Sequence, residues 1–169
     1  MRNPRTTHPD TRRPWRTLVV TLAAVALAHA LAAGPSFGVL LSPTISGAPI
    51  VTLSAAVPLA RLATDGGHLA FGVRADASAT LDRLAAPPAL GLHATATVER
   101  PTASAYAGTG IGLARQATAA GSNAILTWTL LAGVRVPLDP TWSVVLQLAA
   151  APLLGGFGIG LGMELAPWR

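Results

Sequence analysis

The decapeptide Gly156-Phe-Gly-Ile-Gly-Leu-Gly-Met-Glu-Leu165 alternates without interruption between glycine and large apolar residues, with Glu164 in place of the last glycine. Because successive residues of a β-strand point to opposite faces of the sheet, a period of two is typical of a strand. The decapeptide therefore predicts a strand with one wholly apolar face and one face of small and polar residues.

The same alternation recurs in four other segments, residues 73–81, 90–99, 126–136 and 142–148. The stretches between the apolar segments are rich in Gly, Pro, Asn and Asp, which preset the backbone dihedral angles that turns need. Seven such breaks fall at residues 42–49, 64–67, 82–88, 100–102, 119–123, 139–140 and 154–156. They divide the body of the chain into eight predicted strands.

A helical membrane protein is the first alternative. Residues 144–163 are long enough for one membrane-spanning helix and contain glycines at the G-x-x-x-G spacing of packed helices. However, the glycines of the decapeptide would circle such a helix instead of marking one face, and Pro152 would interrupt it. Arg74 and Arg135 would also be stranded in helical spans. The period of two favours strands, and the helical interpretation stays as an alternative.

The low charge of the body favours a membrane barrel. Residues 34–169 contain thirteen charged residues, about one in ten, whereas a soluble domain has about one in four. A membrane barrel turns apolar side chains to lipid and small and polar ones inward, and its closure satisfies the backbone. We therefore predict an all-β fold: a closed, antiparallel, up-and-down transmembrane β-barrel of about eight strands, preceded by an N-terminal signal helix. A soluble exported β-barrel or sandwich that binds lipid is the second alternative.

The first 33 residues have the three parts of a secretion signal. Five arginines lie in residues 1–16, an apolar stretch follows at 17–28, and small residues in A-x-A order come at 28–32. The apolar stretch is shorter than the ~20 residues that a membrane span needs, which favours a cleaved signal over a permanent anchor. The predicted domains are a cleaved signal peptide at residues 1–33 and a β-barrel domain at residues 34–169.

The charge balance and the absence of cysteine exclude several kinds of function. The whole chain has a formal net charge of +5, but residues 34–169 hold seven arginines and six acidic residues, so the excess lies mostly in the predicted signal. This balance argues against nucleic acid as a partner. With no cysteine, the chain has no disulfide, no thiolate-bound metal and no thiol catalysis.

Residues 36–168 resemble the small eight-stranded outer-membrane barrel proteins of bacteria, the class of the OmpA transmembrane domain, in the number and length of their segments. The resemblance implies location in the bacterial outer membrane, with membrane lipid and the outer-membrane assembly machinery as partners. It also implies that both termini are periplasmic. Periplasmic turns then fall near 64–67, 100–104 and 138–141, and outer loops near 42–49, 82–89, 116–123 and 152–156, of which the first three are the longer.

Polar and charged residues share the predicted inner face of the barrel. Because a charge inside a barrel is costly unless it is paired, we expect these residues to form a polar network in the lumen. They are Arg74, Asp76, His93, Thr95, Thr97, Glu99, Arg135, Gln147 and Glu164. One interpretation is a plug that fixes strand register and closes the lumen of a protein with a structural role in the envelope. The alternative is a narrow passive pore.

Aromatic residues are candidates for the girdles that membrane barrels place at the two lipid–water interfaces. The candidates are Trp128, Trp142 and Trp168, together with Phe37, Phe157 and Tyr106. Trp142 and Trp168 lie next to predicted periplasmic ends of strands, and Trp128 lies near an outer end. Ordinary apolar burial is the alternative for each of them.

The sequence predicts no catalytic residue. His93 and Ser78, with Asp76 nearby, are the best candidates for a hydrolytic set, but both His93 and Ser78 are predicted to point into the lumen, away from a lipid substrate. The sequence contains no nucleophile elbow, phosphate-cradling loop or metal-spaced histidine cluster. We therefore expect a protein without enzymatic activity, bound metal or cofactor, and its oligomeric state stays open.

Overall fold

The computed structural model describes residues 34–44, 48–83, 89–118, 121–151 and 156–166. In these ranges the chain forms eight strands and one turn of 3-10 helix at Leu81–Arg83. The strands are β1 (Ser36–Ser42), β2 (Ile50–Thr64), β3 (Gly67–Thr80), β4 (Ala89–Glu99), β5 (Ser104–Thr118), β6 (Gly121–Pro137), β7 (Trp142–Ala151) and β8 (Gly156–Leu165). The predicted signal peptide and signal helix at residues 1–33 lie outside the described residues.

The strands form a closed barrel in chain order, each antiparallel to the next. β8 closes the barrel against β1, with Phe37 opposite Leu165 and Leu41 opposite Leu161. Closure gives each strand a hydrogen-bonded neighbour on both sides, so the middle of the sheet has no free edge. The predicted all-β, up-and-down barrel is confirmed.

The helical interpretation of residues 144–163 is wrong, because the described parts of this range belong to β7 and β8. Proline at position 152 and glycine at every second position of β8 do not support a continuous helix, whereas the pleat of a strand accommodates the period of two. Across the described ranges, no helix is both long and apolar enough to span a membrane.

One end of the barrel carries tight turns, and we call it the tight-turn end. Its turns fall at 65–66, 100–103 and 138–141, where the sequence predicts periplasmic turns. Gly66 has a positive φ of 87°, a conformation that glycine adopts without steric cost. In the third turn, the Asp139 carboxylate accepts hydrogen bonds of 2.7 Å from the backbone N–H groups of Thr141 and Trp142.

The opposite end, which we call the loop end, holds the connections at 43–49, 81–88, 119–120 and 152–155. The third of these is shorter than predicted, because β5 runs to Thr118 and β6 starts at Gly121. The pairing of β5 with β6 extends further toward the loop end than the pairing of β6 with β7. Gln116 of β5 lies opposite Asn123 of β6, whereas the pairing of β6 with β7 ends at Leu130. The β5–β6 hairpin therefore projects beyond the rest of the barrel.

The outside of the barrel is apolar on every strand. Large apolar side chains point outward and stay exposed, among them Leu126 at 66% and Phe157 at 69% of their full accessible area. One such residue from each strand in order is Val39, Leu53, Phe71, Leu92, Ile111, Trp128, Leu146 and Leu161. Soluble proteins rarely expose a continuous apolar surface of this extent, whereas lipid-facing strands require it. The chain is a transmembrane β-barrel.

The inside of the barrel is polar, whereas the inside of a soluble protein is apolar. Among the residues that the structure describes, its cluster of buried apolar and aromatic side chains is small, comprising Leu40, Tyr106, Leu131 and Val145. Buried polar side chains outnumber them: Thr52, Arg74, His93, Ser104, Thr127, Arg135, Ser143, Gln147 and Glu164. Such an interior could not hold a soluble sandwich together by apolar burial, which removes the physical basis of the soluble alternative.

Candidate functional site

The polar lumen predicted from the sequence is the candidate site. Five of the nine predicted residues are buried: Arg74, His93, Arg135, Gln147 and Glu164. The side chain of Asp76, 10% exposed, joins them. These six residues come from β3, β4, β6, β7 and β8, so the closed sheet, and not any local segment, brings them together.

The first pair lies on β3. Arg74 and Asp76 are two residues apart and therefore share the inner face of the strand. The Arg74 Nε–H donates a hydrogen bond of 2.8 Å to Asp76 Oδ1. Arg74 lies opposite Ala56 of β2, whose short side chain leaves room for the guanidinium. The pair neutralises its own charge inside the barrel.

Tyr106 of β5 is the centre of the site. We considered it for an interfacial girdle, but its side chain points inward and is 5% exposed. The Tyr106 hydroxyl accepts a hydrogen bond of 3.3 Å from Arg74 Nη1 and donates one of 2.8 Å to Gln147 Oε1. It thus links β3 to β7 across the lumen. The alternation along β5 could have indicated this inward position, because Tyr106 lies between Ala105 and Ala107, which face outward.

Gly133 of β6 makes room for the tyrosine. It lies opposite Tyr106, and a Cβ atom added there would come within 2.5 Å of the phenol Cζ and hydroxyl oxygen. A side chain at this position is incompatible with the ring where it stands. The glycine is therefore part of the site, although it supplies no functional group.

The second ion pair joins β6 to β8 over the intervening β7. Arg135 Nη2 lies 2.8 Å from Glu164 Oε2, and both side chains are more than nine-tenths buried. The Arg135 guanidinium also stacks on Tyr106, with its Cζ 5.5 Å from the ring centroid, while Arg74 approaches the same ring at 5.7 Å. Cation–π contacts of this kind strengthen when desolvated. Tyr106 therefore connects the two ion pairs.

His93 of β4 extends the site toward the loop end. Its Nε2 shares a hydrogen bond of 2.8 Å with Thr129 Oγ1 of β6. Its Nδ1 lies 3.2 Å from Asp76 Oδ2, which is an ion-pair separation, but the two atoms do not have hydrogen-bond geometry. Thr129 was not among the predicted network residues, although its phase on β6 matches that of Arg135. The imidazole bridges three strands.

We call this connected set the lumen network. Its members are Arg74, Asp76, His93, Tyr106, Thr129, Arg135, Gln147 and Glu164, which are joined by the contacts given above. Two arginines face two carboxylates, so these four charges balance. Pairing with an opposite charge lowers the cost of burying each of them, although Arg74 Nη2, Arg135 Nε and Glu164 Oε1 have no hydrogen-bond partner among the described residues. It spans the barrel from β3 to β8.

Three of the predicted residues lie outside the network. Among the described residues, no hydrogen bond or ion pair joins Thr95 or Thr97 to it, and Glu99 pairs instead with Arg61, Nε to Oε2, at 3.4 Å. All three line a cavity of about 60 Å³ at the tight-turn end. These three residues lie between His93 and the tight turn that follows β4, so they line the small cavity and do not bond to the lumen network.

A larger cavity lies on the other side of the network. It has a volume of about 330 Å³ and is open toward the loop end. Asp76, His93, Thr129 and Gln147 of the network line it, whereas Arg135 lines the small cavity at the tight-turn end. We call the larger one the loop-end cavity. The lumen network stands between the two spaces.

Two of the three predicted girdle tryptophans are described, and both are outside. Trp128 is 48% exposed, and its Nε1–H donates to Thr109 Oγ1 at 2.6 Å. Trp142 is 40% exposed and begins β7 at the tight-turn end. Their positions toward opposite ends of the barrel agree with two girdles, which stay a prediction. Trp168 lies outside the described residues.

The described ranges contain no group of three or more His, Asp or Glu side chains that could hold a metal ion. The two acidic residues of the lumen network are each paired with an arginine, Asp76 through Oδ1 and Glu164 through Oε2. The contacts that the network residues make are hydrogen bonds and charge pairs.

No protein-family model matches the chain, and no curated protein matches it. Solved structures do. A de novo designed transmembrane β-barrel has a TM-score of 0.43 and 11% identity, over 79% of this chain and 94% of that one. Neisserial surface protein A (NspA) has a TM-score of 0.41 and 11% identity, over 78% and 94%.

Ail, the attachment invasion locus protein of Yersinia pestis, solved in complex with the heparin analogue sucrose octasulfate, has a TM-score of 0.40 and 12% identity, over 78% of this chain and 90% of that one. All three scores lie below 0.5, so the assignment of this chain rests on its own strand pairing. The predicted resemblance to small eight-stranded outer-membrane barrels is confirmed at the level of architecture by the closed eight-stranded sheet.

Proposed function

We propose that this protein is a small bacterial outer-membrane barrel with a structural role in the cell envelope and a lumen closed by its own side chains. The observation that supports the proposal is the lumen network, which connects β3 to β8 between two separate cavities. Its guanidinium, carboxylate, phenol and amide groups bind one another across the lumen, and this cross-linking supports a lumen that is closed at the level of Tyr106. The rival function is a narrow passive pore.

Location and partners belong to the same proposal. The apolar exterior needs lipid on every strand, and a bacterial chain with closed strands and an arginine-rich N-terminal segment fits export to the outer membrane. Membrane lipid and the outer-membrane assembly machinery are then its partners. The loop end faces outward and the tight-turn end faces the periplasm, as short periplasmic turns are typical of this class.

We also propose that the barrel is not an enzyme. Ser78 and His93, the best hydrolytic candidates in the sequence, are not bonded to each other: the Ser78 hydroxyl lies 2.8 Å from Thr52 Oγ1, and His93 Nε2 shares its hydrogen bond with Thr129. Asp76, His93 and Thr129 do follow the order of a nucleophile relay. However, Asp76 is bound by Arg74, and its contact with His93 lacks hydrogen-bond geometry, so the relay is poorly suited to activate a hydroxyl.

Conductance in planar lipid bilayers tests the closed lumen. We expect the wild-type barrel to show no stepwise conductance, because the network fills the constriction. The Tyr106→Ala variant should conduct in discrete steps, since it removes the side chain that joins the two ion pairs. Phe37→Ala is the matched control: it removes an aromatic ring from the exterior, where Phe37 is 49% exposed, and should stay silent.

Stepwise conductance of equal size in the wild type and in Tyr106→Ala would show a pore and overturn the closed lumen. The structural role is tested separately, by deleting the gene and measuring growth in detergent with EDTA. Sensitivity restored by the wild-type protein supports the role, and unchanged growth contradicts it. Membrane fractionation with heat-modifiable gel mobility and N-terminal sequencing of the mature protein test location and signal cleavage.

A further inference from the structure

The loop-end cavity has a feature that a plug does not require. It holds about 330 Å³ of open space above the lumen network, roughly twice the ~150 Å³ that suffices to hold benzene in a protein interior. A barrel that served only to close its lumen could fill this space with apolar side chains and gain stability from their burial. Here the described side chains leave the space unfilled.

Gly158 of β8 shows that the space is not a by-product of tight packing. A Cβ atom added at Gly158 would meet nothing within 4 Å, although the residue lines the cavity. By contrast, a Cβ at Gly162 on the same strand would strike the backbone of β1, and one at Gly160 would come within 2.8 Å of Ser42 Oγ. The close approach of the β1 backbone therefore requires a glycine at position 162, whereas Gly158 leaves volume free.

The wall and the floor of the cavity differ in chemistry. The wall is formed largely by glycine, alanine and leucine, such as Ala149 and Leu131, and so suits an apolar body. The floor carries His93 and Gln147, which are 6% and 7% exposed, together with the Thr129 hydroxyl. Gln147 uses its carbonyl oxygen for Tyr106, which leaves its amide N–H₂ as a donor.

The floor offers hydrogen bonds but no free charge. Asp76, the one carboxylate among the described residues that line the cavity, is neutralised by Arg74 at 2.8 Å and faces His93 at 3.2 Å. An ion that entered would lose its hydration without meeting an unpaired opposite charge, which is unfavourable. A hydroxyl or amide would be able to donate and accept among Thr129, His93 and Gln147.

We infer that the loop-end cavity is a binding site for a small neutral molecule with an apolar body and one hydroxyl or amide end, which enters through the loop end of the barrel. The apolar body lies against the glycine and alanine wall, and the polar end reaches the floor at Thr129 and Gln147. A pocket of this kind, apolar with a few convergent polar groups, is the usual form of a small-molecule site. The inference goes beyond the envelope role and does not depend on it.

Binding of 4-fluorophenol, measured by ¹⁹F NMR on the barrel in lipid nanodiscs, tests the site. Empty nanodiscs give the signal that comes from partition into lipid. We expect a saturable component with the wild type. Gly158→Phe should weaken it at least tenfold, because the ring fills the cavity. Ala132→Phe is the matched control, since Ala132 is exposed on the outer face of β6, and should bind as the wild type does.

The polar floor is tested with fluorobenzene, which has the same ring without the hydroxyl. We expect it to bind at least fivefold more weakly than 4-fluorophenol. Heat-modifiable mobility shows whether Gly158→Phe is folded, and Gly158→Leu gives a second cavity-filling variant. No saturable binding to the wild type, or equal binding to the wild type and to both folded Gly158 variants, would overturn the site. Equal affinity for fluorobenzene would overturn the assigned polar end.

Discussion

The two halves of the barrel interior both contain glycine on their inner face, but the glycine has a different role in each half. In the half toward the tight turns, Tyr106, Arg135 and Glu164 are packed together, and Gly133 is a glycine because the tyrosine ring needs its space. In the half toward the loops, Gly158 borders a cavity and touches nothing at the position of a side chain. In the first half a glycine admits the ring that joins the two ion pairs, and in the second a glycine borders open space.

This difference separates two meanings of a small inner residue in a membrane barrel. One glycine admits a large neighbour, so it is under steric constraint. The other, Gly158, is under no steric constraint in the described structure. Its small size therefore keeps volume in the loop-end cavity instead of admitting a neighbour. Substitutions should therefore have large effects at the network and small effects around the cavity, and stability measurements can test that ranking.

The largest effect should follow from Glu164→Gln, which leaves the buried Arg135 without its carboxylate. An unpaired buried charge costs about 3–5 kcal/mol. Urea unfolding of the barrel in lipid vesicles, followed by tryptophan fluorescence, should show a loss of free energy of unfolding of that size. The double variant Arg135→Met, Glu164→Met should regain most of it, because it removes both charges. A loss below about 1 kcal/mol in the single variant would show that the pair is solvated, contrary to its burial.

The next effect compares the two glycines directly. Gly133→Ala should lower the free energy of unfolding by about 1–3 kcal/mol, because the added methyl group overlaps Tyr106, which hydrogen bonds hold in place. Gly158→Ala should be neutral or stabilising by up to about 1 kcal/mol, since alanine is better tolerated than glycine inside a strand. The same unfolding assay measures both. Equal losses at the two positions would end the distinction between the halves.

Much of this organisation could be predicted from the sequence. The period of two placed Arg74, Arg135 and Glu164 on one face, and that assignment follows from backbone geometry alone. Turn residues such as Asp65-Gly66 and Asp139 marked the strand ends, because their preferred conformations are local. The β5–β6 connection was predicted too long, since Gly121 can continue a strand as well as end one, and its pairing with Thr118 decides which.

The contacts inside the lumen could not be predicted in the same way. Arg135 and Glu164 meet across β7, and which residues meet there depends on the stagger of the whole barrel, which no single segment specifies. Tyr106 was considered for a girdle because an aromatic ring suits lipid interfaces and interiors equally well. The loop-end cavity is the space that the inner side chains leave unfilled, and knowing which residues face inward does not predict that space.

A smaller effect is expected at the boundary between the two halves. Thr129→Val keeps the shape of the side chain but removes the hydroxyl that bonds His93. The loss in free energy of unfolding should be about 1 kcal/mol, since His93 borders the cavity and water can replace the lost partner there. Tyr106→Phe is the comparison, because it removes the bonds to Arg74 and Gln147 deep in the network and should cost more. If Thr129→Val cost more than Tyr106→Phe, the floor of the cavity and not the tyrosine would hold the network together.

The smallest effect should come from Glu99→Gln. The Arg61–Glu99 pair has the same charges as Arg135–Glu164, but it lies at the tight-turn end with the Arg61 side chain 45% exposed and a separation of 3.4 Å. Water screens such a pair, so its loss should cost under about 1 kcal/mol. High salt should abolish even that difference, because at 1 M the screening length is about 3 Å, whereas the cost of Glu164→Gln should persist. Measured in the same unfolding assay, a salt-independent cost for Glu99→Gln would mean that burial does not distinguish the two pairs, and the contrast between a filled interior and a wet rim would fail.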